Sequence, residues 1–282
     1  MLQVEKHYAV IGDPIQHSLS PWMHNAGYEA LGVVAEYHRF HVEASHLAEA
    51  VLGLRALGFS GWNVTLPHKE SIISLLDTLT PQAKRAGAVN TVKIHEGQLI
   101  GHNTDGDGFV RSVGEELNGF KGKKAVLLGA GGASKGIALA LAEQGMHLHI
   151  LNRTPEKSMG LVQVIQREGG TATSGTFAPG DWLEDVDLLV QTTSVGLHRE
   201  PFPFSLAGIS KQALVVDIIF NPMETVFLKE AKNLGCRTQN GIGMLLYQGA
   251  LAWEFWLGGK APVEEMGQAL KNQLLQRMFH KG

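Results

Sequence analysis

The side chains best suited to chemistry cluster around two glycine-rich or polar stretches. In the first, the apolar run Ala125-Val126-Leu127-Leu128 stops abruptly at Gly129-Ala130-Gly131-Gly132-Ala133, and Ser134–Glu143 resumes at helical spacing. A continuous apolar run bounded by glycine reads as a strand buried on both faces, with a helix returning across it. Gly129 suits the tight turn, and Gly131 lets the backbone approach a pyrophosphate that sits on the helix N-terminal amides. Ser134 stands where a third glycine or alanine is usual. The next strand-like run, His147–Leu151, ends in Asn152-Arg153-Thr154, with Lys157 just beyond. An NAD site usually places a carboxylate there for the ribose 2′-hydroxyl. A guanidinium, a hydroxyl and an ammonium stand there instead and suit a 2′-phosphate, so the expected cofactor is NADP(H). An ordinary tight turn backed by a solvated basic loop would show the same residues.

The second stretch lies nearer the N-terminus. Ser20 precedes Pro21 and reads as an N-cap with proline at the first helical position. Ser18 has no such structural reason, and the two hydroxyls can converge on a small anion at the helix N-terminus. Gly61–Leu66 reads as a strand that puts Asn63 and Thr65 on one face, Val64 and Leu66 on the other. Lys69 then falls in the first turn of a helix expected through Ser71–Leu76. A cation there opposes the helix dipole by about 0.3–1 kcal/mol, so another group should favour it. Asn90 lies in a glycine-led strand start, Ala86–Val92. The acidic run Ile100–Gly108 reads as a loop. It lacks the closing glutamate and the spacing of an EF-hand, so calcium is not expected.

Such residues need a scaffold. Tyr8–Gly12, Glu36–Phe40 and Val215–Ile219 read as strands, and Leu47–Leu57 as a helix stopped by Gly58, so strand and helix alternate as in an α/β chain. With 282 residues and about 150 per domain, two domains are expected. A hydrophobic fraction of 44% gives ample core, while a net charge of −3 without a Lys/Arg-dense face argues against nucleic acid or an anionic membrane. The expected partner is a small molecule. The most membrane-like window, Gly241–Gly259, contains Gln248 and Glu254 and reads as a buried helix. One cysteine, Cys236, allows no internal disulfide, and no basic-then-apolar leader precedes Tyr8, so a cytoplasmic location is expected. Thirteen histidines raise the question of a metal. There is no H-E-x-x-H and no thiolate cluster, and His38 and His41 fall on opposite strand faces, so none is expected. Val263, Met266, Leu270, Leu274 and Leu275 give Pro262–Met278 the stripe of a core or domain-closing helix.

Taken in order, Ser18-x-Ser20, Asn63-Val64-Thr65-x-Pro67-x-Lys69, Gly87-Ala88-Val89-Asn90-Thr91, Asn103-Thr104-Asp105-Gly106, Gly129-Ala130-Gly131-Gly132-Ala133, Asn152-Arg153-Thr154 and Asn240-Gly241-x-Gly243-Met244-Leu245-x-x-Gln248 resemble the shikimate dehydrogenase family. The resemblance spans residues 8 to about 257. It implies an α/β fold of two domains: an N-terminal substrate domain completed by C-terminal helices, 1–105 plus 241–282, and a Rossmann-type NADP-binding domain, 106–240. The implied activity is reversible NADP-dependent reduction of 3-dehydroshikimate to shikimate, in the shikimate pathway toward chorismate and the aromatic amino acids, by a monomer or homodimer.

Carried over residue by residue, the resemblance makes Lys69 and Asp105 the catalytic pair, with Lys69 donating or accepting the proton. Ser18 and Ser20 would hold the substrate carboxylate; Asn63, Thr65, Asn90, Asp105 and Gln248 would bond the ring hydroxyls. Gly129, Ala130, Gly131, Gly132, Ala133, Asn152, Arg153, Thr154 and Lys157 would bind the cofactor, Thr193 and Ser194 bordering its adenosine side and Ile218 and Gly241 its nicotinamide, with Met244 in the same set. Phe220 departs from the pattern: the family usually has a tyrosine there, whose hydroxyl reaches the carboxylate. A hydrogen bond to a charged group is worth about 1.5–3 kcal/mol, so substrate binding about ten-fold or more weaker is expected. Leu197 for the usual methionine conserves volume. Two other readings stay open: a quinate/shikimate dehydrogenase of broader cofactor use, disfavoured by Arg153-Thr154 and the serine pair, and a non-catalytic ligand-sensing relative, disfavoured by retention of Lys69 and Asp105.

Overall fold

Short apolar runs separated by amphipathic segments fold into two sheets, one in each of two units of chain. The computed structural model describes residues 5–279, divided into unit 1, Met1–Gly108 with Leu246–Gly282, and unit 2, Phe109–Leu245. Unit 1 runs through β1 (Lys6–Gly12), α1 (Ser20–Ala30), β2 (Ala35–His41), α2 (Leu47–Ala56), β3 (Gly61–Val64), β4 (Thr78–Leu79), α3 (Pro81–Ala86), β5 (Thr91–His95) and β6 (Gln98–His102). Its strands lie in the order β2-β1-β3-β5-β6-β4. β1 is parallel to both neighbours, while β3, β5 and β6 pair antiparallel. The two-residue period of β1 and β3 sends Ala9, Ile11, Trp62 and Val64 into one core with Leu47, Val51 and Leu54 of α2. Tyr8, Val10 and Tyr37 enter the opposite core, against Tyr28, Trp253 and Trp256.

Four local expectations fail in unit 1, each for a physical reason. β3 stops at Val64, because Pro67 restricts the residue before it and offers no N–H; Leu66 is left 68% exposed rather than on a strand face. Ser71–Leu75 is a 3-10 helix, and Lys69 lies in the turn before it, so no α-helix dipole opposes the ammonium. Ala86-Gly87 starts no strand: Gly87 closes α3 in the left-handed conformation, φ 57°, and β5 begins at Thr91. The acidic run opens a helix, α4 (Asp105–Leu117), with Asp105 and Asp107 in its first turn, where carboxylates complement the dipole.

Unit 2 continues from α4 through β7 (Lys124–Leu128), α5 (Gly132–Glu143), β8 (His147–Leu151), α6 (Pro155–Arg167), β9 (Thr171–Gly175), α7 (Trp182–Asp185), β10 (Leu188–Gln191), β11 (Leu214–Asp217), α8 (Val226–Asn233) and β12 (Arg237–Gln239). The sheet order is β12-β11-β10-β7-β8-β9, every pair parallel. Counted from β7 this is 3-2-1-4-5-6, the doubly wound order that binds dinucleotides where the winding reverses, here between β7 and β10. Val126, Leu128, Leu189 and Val215 of the strands meet Phe202, Phe227 and Leu228 in one core. The chain then forms α9 (Ile242–Leu257) and α10 (Val263–Phe279). On α10, Met266, Leu270 and Leu274 are buried and Leu275 is exposed; the helix packs on α1. Among the described residues no helix is long and apolar enough to cross a membrane.

Candidate active site

The polar residues of unit 1 converge beyond the C-terminal end of β3. Val89 N–H holds the Lys69 carbonyl at 2.7 Å, which fixes the turn carrying the lysine. Its ammonium donates to Asp105 Oδ2 at 2.7 Å, with the two side chains 14% and 5% exposed. The other carboxylate oxygen accepts from Asn90 Nδ2 at 2.9 Å. The Asn90 amide can face only this way, because its Oδ1 accepts the Thr104 N–H and the Thr91 hydroxyl, both at 2.9 Å. Asp105 N–H donates to Asn103 Oδ1, and Asn103 Nδ2 to the Ala88 carbonyl, so the start of α4 is bound to the loop before β5. A buried ion pair is weak evidence for stability, since desolvation offsets the attraction. A protonated amine held by an oriented carboxylate is, however, what general acid–base chemistry on a small molecule needs.

The network runs further than sequence reasoning reached. Asn63 Nδ2 donates to Asn90 O and Thr91 Oγ1, and its Oδ1 accepts the Tyr37 hydroxyl at 2.7 Å. Both amide hydrogens of Asn63 are thus committed, leaving one Oδ1 lone pair for any further donor. Tyr37, fully buried, stacks on His24 with centroids 4.4 Å apart. Burial pushes the Tyr37 phenol well up and the His24 imidazole down to about 3, so both are neutral. Ser20 lies close enough to the Tyr37 phenol to offset part of that rise, and so borders the same chain of groups. It does not cap α1: Leu19 is the N-cap, with no side-chain cap bond. Ser18 does have a structural task, its Oγ accepting the Ser20 N–H at 3.3 Å. Thr65 packs against Gly12, where an added Cβ would lie 2.4 Å from its methyl group, and the half-buried Gln248 backs onto Gly108 in the same manner. No local pattern marks Tyr37, Thr91 or Thr104: the register of β2, β3 and β5 brings the first two beside Asn63 and Asn90, and the β5–β6 pairing brings Thr104 to Asn90.

The glycine turn of unit 2 has a different geometry. Gly129 adopts φ 117°, and a Cβ there would meet Thr192 Oγ1 at 2.6 Å, so only glycine serves. A Cβ on Gly131 or Gly132 would meet nothing within 4 Å: these glycines leave open space beside the N-terminus of α5, as an approaching pyrophosphate requires. Ser134, buried, donates to the Gly129 carbonyl at 2.6 Å, which explains a hydroxyl in the third small position. Asn152 Oδ1 accepts the Ala130 N–H and its Nδ2 donates to the Thr154 carbonyl, tying the turn to the loop after β8. Arg153 and Thr154 are exposed on that loop, and Lys157 is exposed on the first turn of α6. On the far side, Gln191 holds the backbone of Thr193 and Val195, leaving Ser194 exposed. Ile218 and Gly241 touch, since a Cβ on Gly241 would lie 1.9 Å from the Ile218 carbonyl oxygen. Phe220 is half-buried just past β11, and Met244 half-buried on the first turns of α9. Open glycines, helix amides and an exposed cationic fork fit an NADP-sized dinucleotide.

Family profiles match three stretches: residues 10–92 as a shikimate dehydrogenase substrate binding domain, 112–200 as a shikimate / quinate 5-dehydrogenase, and 241–271 as a shikimate 5′-dehydrogenase C-terminal domain. The shikimate dehydrogenase (NADP(+)) of Desulfitobacterium hafniense is 61% identical over 269 residues, 95% of this chain and 98% of that one. Among solved structures, shikimate 5-dehydrogenase from Thermus thermophilus in complex with NADP(H) and shikimate is 37% identical with a TM-score of 0.85, covering 95% of this chain and 99% of its own. Quinate dehydrogenase from Corynebacterium glutamicum in complex with NAD is 31% identical with a TM-score of 0.87 over the same shares.

Proposed function

The chain belongs to the shikimate dehydrogenase family, and from that premise we propose that it reduces 3-dehydroshikimate to shikimate reversibly with NADPH, Lys69 and Asp105 handling the proton. The observation that carries the reading is the Lys69–Asp105 pair at 2.7 Å, its carboxylate buried and its ammonium half-buried, backed by Asn90 on the second carboxylate oxygen. Unit 1 is the substrate-binding domain of the proposal and unit 2 the cofactor-binding domain. Bound NADPH supplies the hydride. The residues of the chain do the rest. A ketone that accepts hydride becomes an alkoxide, and Lys69, held in one rotamer by Asp105, donates a proton to it. In the reverse direction the amine takes the hydroxyl proton, and the carboxylate lies against the ammonium that forms. Asn90 keeps the carboxylate turned toward the lysine in both directions.

Around this pair, Ser18 and Ser20 are assigned to the ring carboxylate, and Asn63, Thr65 and Gln248 to the ring hydroxyls; Asn63 acts as acceptor, its amide hydrogens being taken. Arg153, Thr154 and Lys157 are assigned to the 2′-phosphate, Gly129 to Ala133 to the pyrophosphate, and Thr193, Ser194, Ile218, Gly241 and Met244 to the remainder of the cofactor. Cys236, buried and without a disulfide, supports a cytoplasmic location, and the proposed assembly is a monomer or homodimer. The test is loss of NADPH absorbance on adding 3-dehydroshikimate, run beside shikimate and quinate with NADP and NAD. Faster oxidation of quinate with NAD would make this a quinate dehydrogenase. Binding of both ligands without turnover would make it a sensor.

A further inference from the structure

We propose that His7, Glu36 and His38 form a binding site for a divalent transition metal, with Zn2+ as the fitting ion, on the outer edge of the unit 1 sheet. The site follows from strand register. β1 and β2 run parallel with His7 opposite Glu36 and Ala9 opposite His38. Because strand side chains alternate, Glu36 and His38 share one face of β2, and His7 shares that face from β1 with Ala9, on the side covered by α2. One ligand atom from each residue lies within 4.8 Å of the other two, and His38 Nε2 is 3.2 Å from Glu36 Oε2. Zinc bonds to nitrogen and oxygen of about 2.0–2.2 Å place tetrahedral ligands about 3.3–3.6 Å apart, so His38 and Glu36 are already near ligand spacing and His7 lies within 4.8 Å of both.

Two imidazoles with a carboxylate are the donor set of three-ligand zinc sites, which leave the fourth position to water. The surroundings hold the rings in place. Phe59 packs against His7 at 5.9 Å and His38 at 6.4 Å between centroids, and Phe40 against His38 at 6.1 Å. These phenyl rings restrict both imidazoles and shield one side of the trio. Glu36 is exposed and the histidines half-exposed, so an ion reaches them directly from water. The trio sits toward the starts of β1 and β2, whereas the Lys69 set lies past the end of the parallel strand β3. The two sites therefore serve different ends: a metal here would pin the edge strand β2 to β1, raising resistance to unfolding without entering the reaction.

The experiment uses the full chain without a polyhistidine tag, at about pH 7.5 where free imidazoles are neutral. Calorimetric titration with zinc chloride is expected to show one equivalent bound, and thermal unfolding a higher Tm with the metal. His7→Ala, His38→Ala and Glu36→Gln should each weaken binding at least about ten-fold, since even outer partners of metal ligands are worth about 10–100-fold. Each should also abolish the rise in Tm, with NADPH-dependent turnover unchanged. Glu36 is exposed, so its variant keeps the test interpretable if a histidine variant folds poorly. Absence of stoichiometric zinc binding, or binding undiminished in Glu36→Gln and His38→Ala, would overturn the proposal and leave an ordinary histidine–glutamate contact.

Discussion

Lys69 stands in the turn before the 3-10 helix Ser71–Leu75, clear of any α-helix dipole. Its real determinant is a carboxylate from another element, 36 positions along the chain, whose second oxygen is occupied by Asn90. Removing the ammonium leaves the Asp105–Asn90 bond in place, so Lys69→Ala should fold and bind NADPH normally while losing at least about a hundred-fold in turnover. Undiminished turnover, measured by NADPH absorbance, would take Lys69 out of the mechanism. Arg153 makes a parallel case in unit 2. It is exposed, so no fold depends on it, and its fork matches a phosphate bidentately. Arg153→Ala should raise the KM for NADPH and leave that for NADH nearly unchanged; equal losses with both cofactors would refute the 2′-phosphate assignment. These two residues were legible because their types are conspicuous in their surroundings. Tyr37, Thr91 and Thr104 were not, since a tyrosine or threonine on a strand looks the same whether it supports a site or fills a core.

Among the elements, the end of β11 shows how backbone is fixed by one buried acid. Asp217, fully buried, accepts the Ile219 N–H at 3.0 Å and the Thr225 hydroxyl at 2.8 Å, which sets the turn through Ile218 and Phe220. Burial pushes its carboxyl up from the ordinary 3.8 to about 6. A carboxyl whose folded pKa lies above its unfolded one holds more protons when folded, so its contribution to stability is full below about 3.8 and is lost as pH rises through about 6. A shift of about two units corresponds to about 3 kcal/mol. Asp217→Asn keeps the acceptor for Ile219 without the titration. Urea unfolding should show wild type losing stability relative to that variant between about pH 4 and 7, by up to about 3 kcal/mol. A pH-independent difference would contradict the assignment. The strands here and at β7 and the glycine turn after β7 could be read from local residues, whereas the 3-10 turn after Lys69 and the helix opened by Asp105 could not, because contacts with a distant segment hold both: Val89 N–H on the Lys69 carbonyl, and Asn103, which accepts the Asp105 N–H, on the Ala88 carbonyl.

At the scale of the whole molecule, unit 1 is assembled from both ends of the chain. Trp253 and Trp256 of α9 fill the core formed with Tyr8, Tyr28 and Tyr37, and the Trp256 indole donates to the Val92 carbonyl at 2.9 Å. Gly61 exists to admit that indole, a Cβ there lying 2.6 Å from Nε1. A chain ending at Leu245 should therefore lose hydrogen-exchange protection in β1, β2 and β3 while β7, β8 and β10 keep theirs. Retained protection of β1 would show that the N-terminal segment folds without its C-terminal helices. What the sequence determined by itself was the kind of chemistry and the class of fold: glycine at a strand end, a cationic fork where an acid would mark NAD, apolar periods of two and of helical spacing, and ordered motifs that place the chain in its family. These are properties of neighbouring residues, and neighbours are what a sequence records. The tertiary structure alone decided which amide turns Asp105 toward Lys69, that Asn63 is left only an acceptor, that Ser18 rather than Ser20 serves the start of α1, and that His7, Glu36 and His38 meet. Each of those depends on strand register and on contacts between distant segments, whose energies are fixed by three-dimensional packing and not by local spacing.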